Sequence, residues 1–273
     1  MAEDPDSHTM PLLDHLMELR TRLVWTILAF LIAFFACFYV AQPIYDFLVT
    51  PLANIMEEVG GTNRMIYTAL TEAFFTQIKV GFFAAAFISF PIIASQLWLF
   101  IAPGLYKHEK GALAPFLVAS PVLFIAGASF VYYVIMPMAW RFLLQFQTGA
   151  DESVLPIELE ARVGEYLGLV MKLILAFGIS FQLPVLLVLL ARVGIVSADG
   201  LAERRKYAIV GVFVFAAIVT PPDVISQIGL AIPMMLLYEI SIYACRIIER
   251  KREEAWAEDA EDDGFEDTDF NDT

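Results

Sequence analysis

The sequence predicts an all-α integral membrane protein with six transmembrane helices and both termini on the cytoplasmic side. Three observations carry this. The 273 residues are 59% hydrophobic, with a mean hydropathy of +0.68, where soluble domains hold about 45–50% apolar residues. The apolar residues gather in six runs rather than scattering along the chain. Lys and Arg fall unequally between alternate connections, twelve on one side and three on the other, which is the bias that orients membrane proteins with the cations inside.

The N-terminal region, 1–22, contains an amphipathic helix over Pro11–Leu23. Leu12, Leu16, Leu19 and Leu23 share one face at helical spacing, while Asp14, Glu18 and Arg22 fall on another. No cleavable signal is expected, because the first apolar run begins only at Leu23 and lacks a small-residue cleavage pattern. The membrane domain, 23–246, holds the spans Leu23–Ala41, Ile78–Ala102, Ala112–Ala139, Tyr166–Ala191, Tyr207–Thr220 and Ile228–Cys245. A span needs about 20 residues at 1.5 Å rise each. The first four meet that; the fifth and sixth are expected to form a short hairpin turned by Thr220-Pro221-Pro222-Asp223.

The twelve cations are Arg20, Arg22, Lys107, Lys110, Arg192, Arg204, Arg205, Lys206, Arg246, Arg250, Lys251 and Arg252. Arg64, Arg141 and Arg162 lie on the opposite side. That side also carries two long connections, Gln42–Gln77 and Trp140–Glu165, whose prolines and scarce Ser/Gly predict short interfacial helices. Residues 247–273 are expected to be an acidic, disordered cytoplasmic tail. Eleven of the 31 acids lie in 253–273 without a single Lys or Arg, so most of the net charge of −14 resides there.

Few residues are placed for chemistry. An intramembrane serine protease would need an imidazole within reach of mid-span Ser129, yet His8, His15 and His108 all fall in cytoplasmic segments. Two cysteines, Cys37 and Cys245, lie near opposite membrane faces and read as small buried hydrophobes. Neither a metal nor a cofactor is expected, and the chain does not read as an enzyme. Polar groups inside spans are costly and mark contacts; these are Gln182 in the fourth span and Glu239 in the sixth, with Asp223 and Gln227 flanking the hairpin turn. Convergence of such groups at mid-membrane would suit a polytopic small-molecule transporter, which is the alternative reading.

Five motifs together decide between the readings. They are His15-Leu-Met-Glu18-Leu-Arg20-Thr-Arg22-Leu, the Pro51-Leu pair, Trp98-Leu-Phe100-Ile-Ala-Pro103-Gly-Leu-Tyr-Lys107-His-Glu109, Ala176-Phe-Gly178-Ile-Ser-Phe-Gln182-Leu-Pro184, and Thr220-Pro-Pro222-Asp223-Val-Ile-Ser-Gln227. In this order and on this topology the chain resembles TatC, the multispanning core subunit of the twin-arginine protein translocase, over about Leu12 to Arg246. The resemblance implies a concave cup of helices in the cell inner membrane that binds Arg-Arg signal peptides. It also implies TatB-like and TatA-like single-span partners, several copies per complex, and export of folded proteins on the proton-motive force. Carried over residue by residue, Glu18 and Glu109 would receive the two arginines, and Arg20, Phe100 and Pro103 would shape that site. Pro51 would bend a cap over the cup. Gln182 stands where relatives often have Glu, and would line a lipid-facing groove with Asp223, Gln227 and Glu239.

Overall fold

The computed structural model describes residues 12–59, 64–101, 114–147, 159–220 and 224–266. Two compact units divide the chain, Met1–Leu175 and Ala176–Thr273.

The first unit is built on α1 (Leu12–Tyr39), α2 (Ala41–Val59), α3 (Glu72–Ile101), α4 (Ala114–Phe130) and α5 (Met136–Leu144). The amphipathic segment and the first span are one uninterrupted helix, since no Gly or Pro intervenes between them. That helix packs along α3, and α3 packs in turn on α2 and α4. A buried hydrogen bond from Trp98 Nε1 to Ser120 Oγ, 2.6 Å, ties α3 to α4. Between α4 and α5 the third span widens into a π turn, Val131–Ile135, where the Met136 N–H donates to Val131 O. Pro137, next in the chain, has no N–H for the regular ladder, and the wider turn accommodates the break.

The connection after the first span is one 19-residue helix, α2, rather than several short ones, and Pro51 lies inside it. Pro51, expected to bend this outer connection, thus lies within a continuous helix. Proline cannot donate to the carbonyl four residues back, that of Phe47. Tyr132, on the π turn, donates its hydroxyl to this carbonyl at 2.6 Å and stacks its ring on Phe47 with centroids 4.4 Å apart. Tyr166 donates to the neighbouring Leu48 carbonyl at 3.2 Å. The carbonyl that Pro51 leaves open is thus served by a tyrosine of the π turn.

A two-residue parallel strand pair, β1 (Met65–Ile66) and β2 (Ala161–Arg162), interrupts the all-helical expectation. It pairs Met65 with Ala161 and Ile66 with Arg162. The Glu72 carboxylate accepts from Thr68 N–H at 2.9 Å and from Gly164 N–H at 3.0 Å. Arg64 bonds Glu160 at 2.6 Å, and Arg141 bonds Glu58 at 3.0 Å. Arg64, Arg141 and Arg162, grouped on one side by the sequence, thus belong to one fastened end of this unit.

The fourth span breaks into α6 (Val163–Ser180) and α7 (Leu183–Arg192). Pro184 withholds its N–H from Ser180, which ends α6. The second unit comprises the last turns of α6, then α7, α8 (Ala198–Glu203), α9 (Arg205–Val219) and α10 (Val224–Glu266). Gly194, at φ 81°, closes α7 with Ile195 N–H returning to Leu190 O at 3.0 Å. Glu249 Oε1 accepts from Ala198 N–H at 2.9 Å at the start of α8. Ala191, Ala198, Leu201, Ile242 and Cys245 form the core here. Both cysteines are free and buried.

Among the described residues, five helical stretches are long and apolar enough to cross a membrane, and α9 is a further apolar helix of 15 residues. The fifth span is short as expected, about 22 Å by helical rise. The sixth is not: its apolar stretch runs Val224–Arg250, 27 residues. The disordered tail is also corrected over 247–266, because α10 continues to Glu266. Ala and Glu are strong helix formers, and Arg250 Nε bonds Glu254 one turn on at 2.7 Å.

Candidate functional site

The Glu18 end of α1 presents a carboxylate beside the last turns of α3. Glu18 and Arg22, four apart, face the same way and pair; Arg22 Nε lies 2.9 Å from Glu18 Oε1 and its Nη2 also converges on that oxygen. Arg22 Nη1 reaches Gln96 Oε1 of α3 at 3.4 Å. The pair is half-buried, with side chains 23% and 22% exposed. Together with Met17, Thr21, Trp25 and Gln96 it lines an open depression of about 590 Å³. Oε2 of Glu18 has no donor among the described residues.

The structure brings some predicted residues to this place and not others. Phe100 follows Gln96 by one turn at the end of α3 and is half-buried. Arg20 is exposed and sits about 200° round α1 from Glu18, so it does not join the depression. Pro103, Glu109 and Asp223 lie outside the described residues. Pro51 belongs to the opposite, fastened end.

The groove residues are dispersed along the second unit. Gln182 sits half-buried in the break before α7, with its backbone N–H on Ile179 O at 2.9 Å. Gln227 is in the first turn of α10. Glu239 follows about 18 Å further along the same helix, where it pairs with Arg205 at 2.8 Å. Ser129 lines an apolar cavity of about 350 Å³ in the first unit, with Phe47, Tyr132 and Ile174.

Sequence reasoning missed Gln96 and Trp25 at the Glu18 depression. Gln96 carried a signal, being a lone amide late in an apolar run; Trp25 did not, since an aromatic near a span end is ordinary.

With that geometry in place, likeness to known proteins is decisive. The profile of the family "Sec-independent protein translocase protein (TatC)" matches residues 14–233. The chain belongs to the TatC family. It is 51% identical over 252 residues to the Sec-independent protein translocase protein TatC of Magnetococcus marinus, covering 92% of this chain and 90% of that one. Identity to the TatC of Escherichia coli K12 is 42%, covering 87% and 89%. A crystal structure titled twin arginine translocase receptor TatC superposes with a TM-score of 0.73 at 40% identity, covering 86% of this chain and 99% of that one. Membership makes the chain a membrane-embedded component of protein transport, and the TatC fold accounts for its apolar helices.

Proposed function

We propose that the chain is the signal-peptide receptor and scaffold of a twin-arginine translocase, binding Arg-Arg peptides at Glu18 and Glu109. The carrying observation is Glu18: a half-buried carboxylate with one oxygen undonated among the described residues, opening on a depression of about 590 Å³. Phe100, at the same end of α3, precedes Pro103 by three residues and Glu109 by nine in the sequence. A guanidinium offers a planar donor fork that a carboxylate accepts in pairs, whereas Lys is a compact point charge. Two such carboxylates favour Arg-Arg over Lys-Lys.

In this reading the protein lies in the cytoplasmic membrane with both termini cytoplasmic. TatB-like and TatA-like single-span subunits dock along α9 and α10, with Gln182, Asp223 and Gln227 as polar contacts, in a complex with further copies of this chain. Transport of folded precursors draws on the proton-motive force, and the chain works by binding rather than by bond-making. The transporter alternative is disfavoured by Glu239, whose partner Arg205 is the first residue of α9 and hence at a helix end, not at mid-span.

The test uses inverted membrane vesicles and signal peptides with a photo-crosslinker beside Arg-Arg or Lys-Lys. Arg-Arg alone should crosslink near Glu109, and Glu109→Ala should abolish it. Equal crosslinking of both peptides would remove the receptor assignment.

A further inference from the structure

The helices of the second unit do not all end at one level. Arg205, the first residue of α9, pairs with Glu239 of α10 at 2.8 Å. Helix α10 stays apolar to Arg250, about 16 Å further on. Helix α7 keeps pace with it: Cys245 Sγ lies 3.7 Å from Leu187 O, so Arg192, at the end of α7, comes to about the level of Arg250. Between the two levels α8 steps down. Its first residue, Ala198, bonds Glu249, and its Leu201 carbonyl accepts the Tyr238 hydroxyl at 2.8 Å. The step delivers Arg204, Arg205 and Lys206 far short of the other helix ends.

The depth between the levels is faced with apolar side chains. Tyr243, one turn beyond Glu239 on the same face of α10, is 67% exposed, and Ile240 and Ile247 beside it are exposed too. Such a surface suits lipid rather than water, which puts the three cations below the headgroup plane set by Arg192 and Arg250. A cation at that depth must snorkel or draw an anion to itself. Arg205 has Glu239, and Arg246, two turns beyond Glu239, has Asp199 at 3.7 Å. Arg204 and Lys206 are exposed and have no carboxylate within ion-pair distance among the described residues.

We propose that this recess holds the phosphate of an anionic glycerophospholipid, drawn down between Arg204 and Lys206 from the leaflet on the Arg250 side. In the orientation proposed above that leaflet is cytoplasmic; the inference is otherwise independent of the receptor reading. One acyl chain runs on over Tyr207 and Val210, which are 68% and 61% exposed below the cations. Free phosphate has no apolar body to cover that surface. A zwitterionic lipid carries its own ammonium beside the phosphate and so gains less from the two cations.

The experiment uses the full chain with a photo-crosslinker in place of Tyr207 (Tyr207→benzoylphenylalanine), in nanodiscs of phosphatidylcholine with a minority of phosphatidylglycerol. Adduct masses give the share of each lipid. Phosphatidylglycerol should be enriched several-fold over its bilayer share. Arg204→Gln and Lys206→Gln should each lower the enrichment about fivefold, the scale of one cation at an anionic surface. Continued phosphatidylcholine adducts in these variants show that the site still faces lipid. Arg250→Gln, at the outer level, should leave the enrichment unchanged. Adducts at the bilayer ratio overturn the proposal, and so does an equal fall with Arg250→Gln, which would make the attraction a diffuse field. Loss of the enrichment in millimolar inorganic phosphate would make the recess a site for the free anion. An adduct with a single-span subunit in place of lipid, when both are supplied, would assign the recess to a protein partner instead.

Discussion

The two ends of the first unit treat their carboxylates differently. At the end carrying β1 and β2, Glu58, Glu72, Glu160 and Glu165 are all engaged, and most of their bonds join segments far apart in sequence. At the other end, about 36 Å along α3 by helical rise, Glu18 bonds, among the described residues, only Arg22 of its own helix, which leaves one of its oxygens without a donor there. The first arrangement fastens loops. The second leaves binding capacity on a rigid helix, where a site is held more accurately than on a loop. A carboxylate's role follows from what its neighbours leave available, not from its charge.

The largest effect that would break this contrast is at Glu18. Glu18→Gln removes the ionised acceptor and should weaken Arg-Arg peptide binding by roughly 10- to 100-fold, the worth of a charge-assisted hydrogen bond. The thermal midpoint in detergent should barely move, since an i,i+4 pair contributes only a few tenths of a kcal/mol. A large drop in the midpoint with intact binding would make Glu18 another fastener.

A middle-sized effect is expected at the fastened end. Tyr132→Phe removes the hydroxyl that serves the Phe47 carbonyl left open by Pro51. An unserved carbonyl costs about 1–3 kcal/mol, read as a lower thermal midpoint with peptide binding per folded molecule unchanged. Pro51→Ala returns an N–H to that carbonyl, so Tyr132→Phe should cost less in that background. Additive costs in the double-mutant cycle would show that the hydroxyl and the proline are not coupled.

Much of this was legible in the sequence, and the reasons for the rest are physical. Apolar run length located the five helices among the described residues that are long and apolar enough to cross a membrane, because burial in hydrocarbon acts on each segment by itself. The Glu18–Arg22 pair was visible from four-residue spacing. Gln96 was not, because its meeting with Arg22 depends on how α1 packs on α3, which no local pattern encodes. The parallel pairing of β1 with β2 joins residues 96 apart and leaves only two-residue strands to read. Helix α10 outran its expected end because acidity was read as disorder, although Ala and Glu are also good helix formers.

The smallest effect tests the fastened end at Glu72. Glu72 accepts two backbone N–H groups, from Thr68 just before α3 and from Gly164 in the first turn of α6, each at a separate oxygen. Glu72→Gln keeps one acceptor oxygen and turns the other into a donor, so one of the two amides must go to water. Both groups are accessible, and water replaces the lost bond at little cost; the thermal midpoint should fall only slightly. The local signature is sharper. Whichever amide is released, Thr68 or Gly164, should exchange its hydrogen faster, while amides of α3 near Gln96 stay as slow as before and Arg-Arg binding is untouched. A Cβ at Gly164 would come within 2.9 Å of Glu72 Oε1, so the carboxylate sits close against the backbone there. Faster exchange that spread along α3 to the Glu18 end would mean that the two ends form one cooperative unit, and the division of labour between them would have to be abandoned.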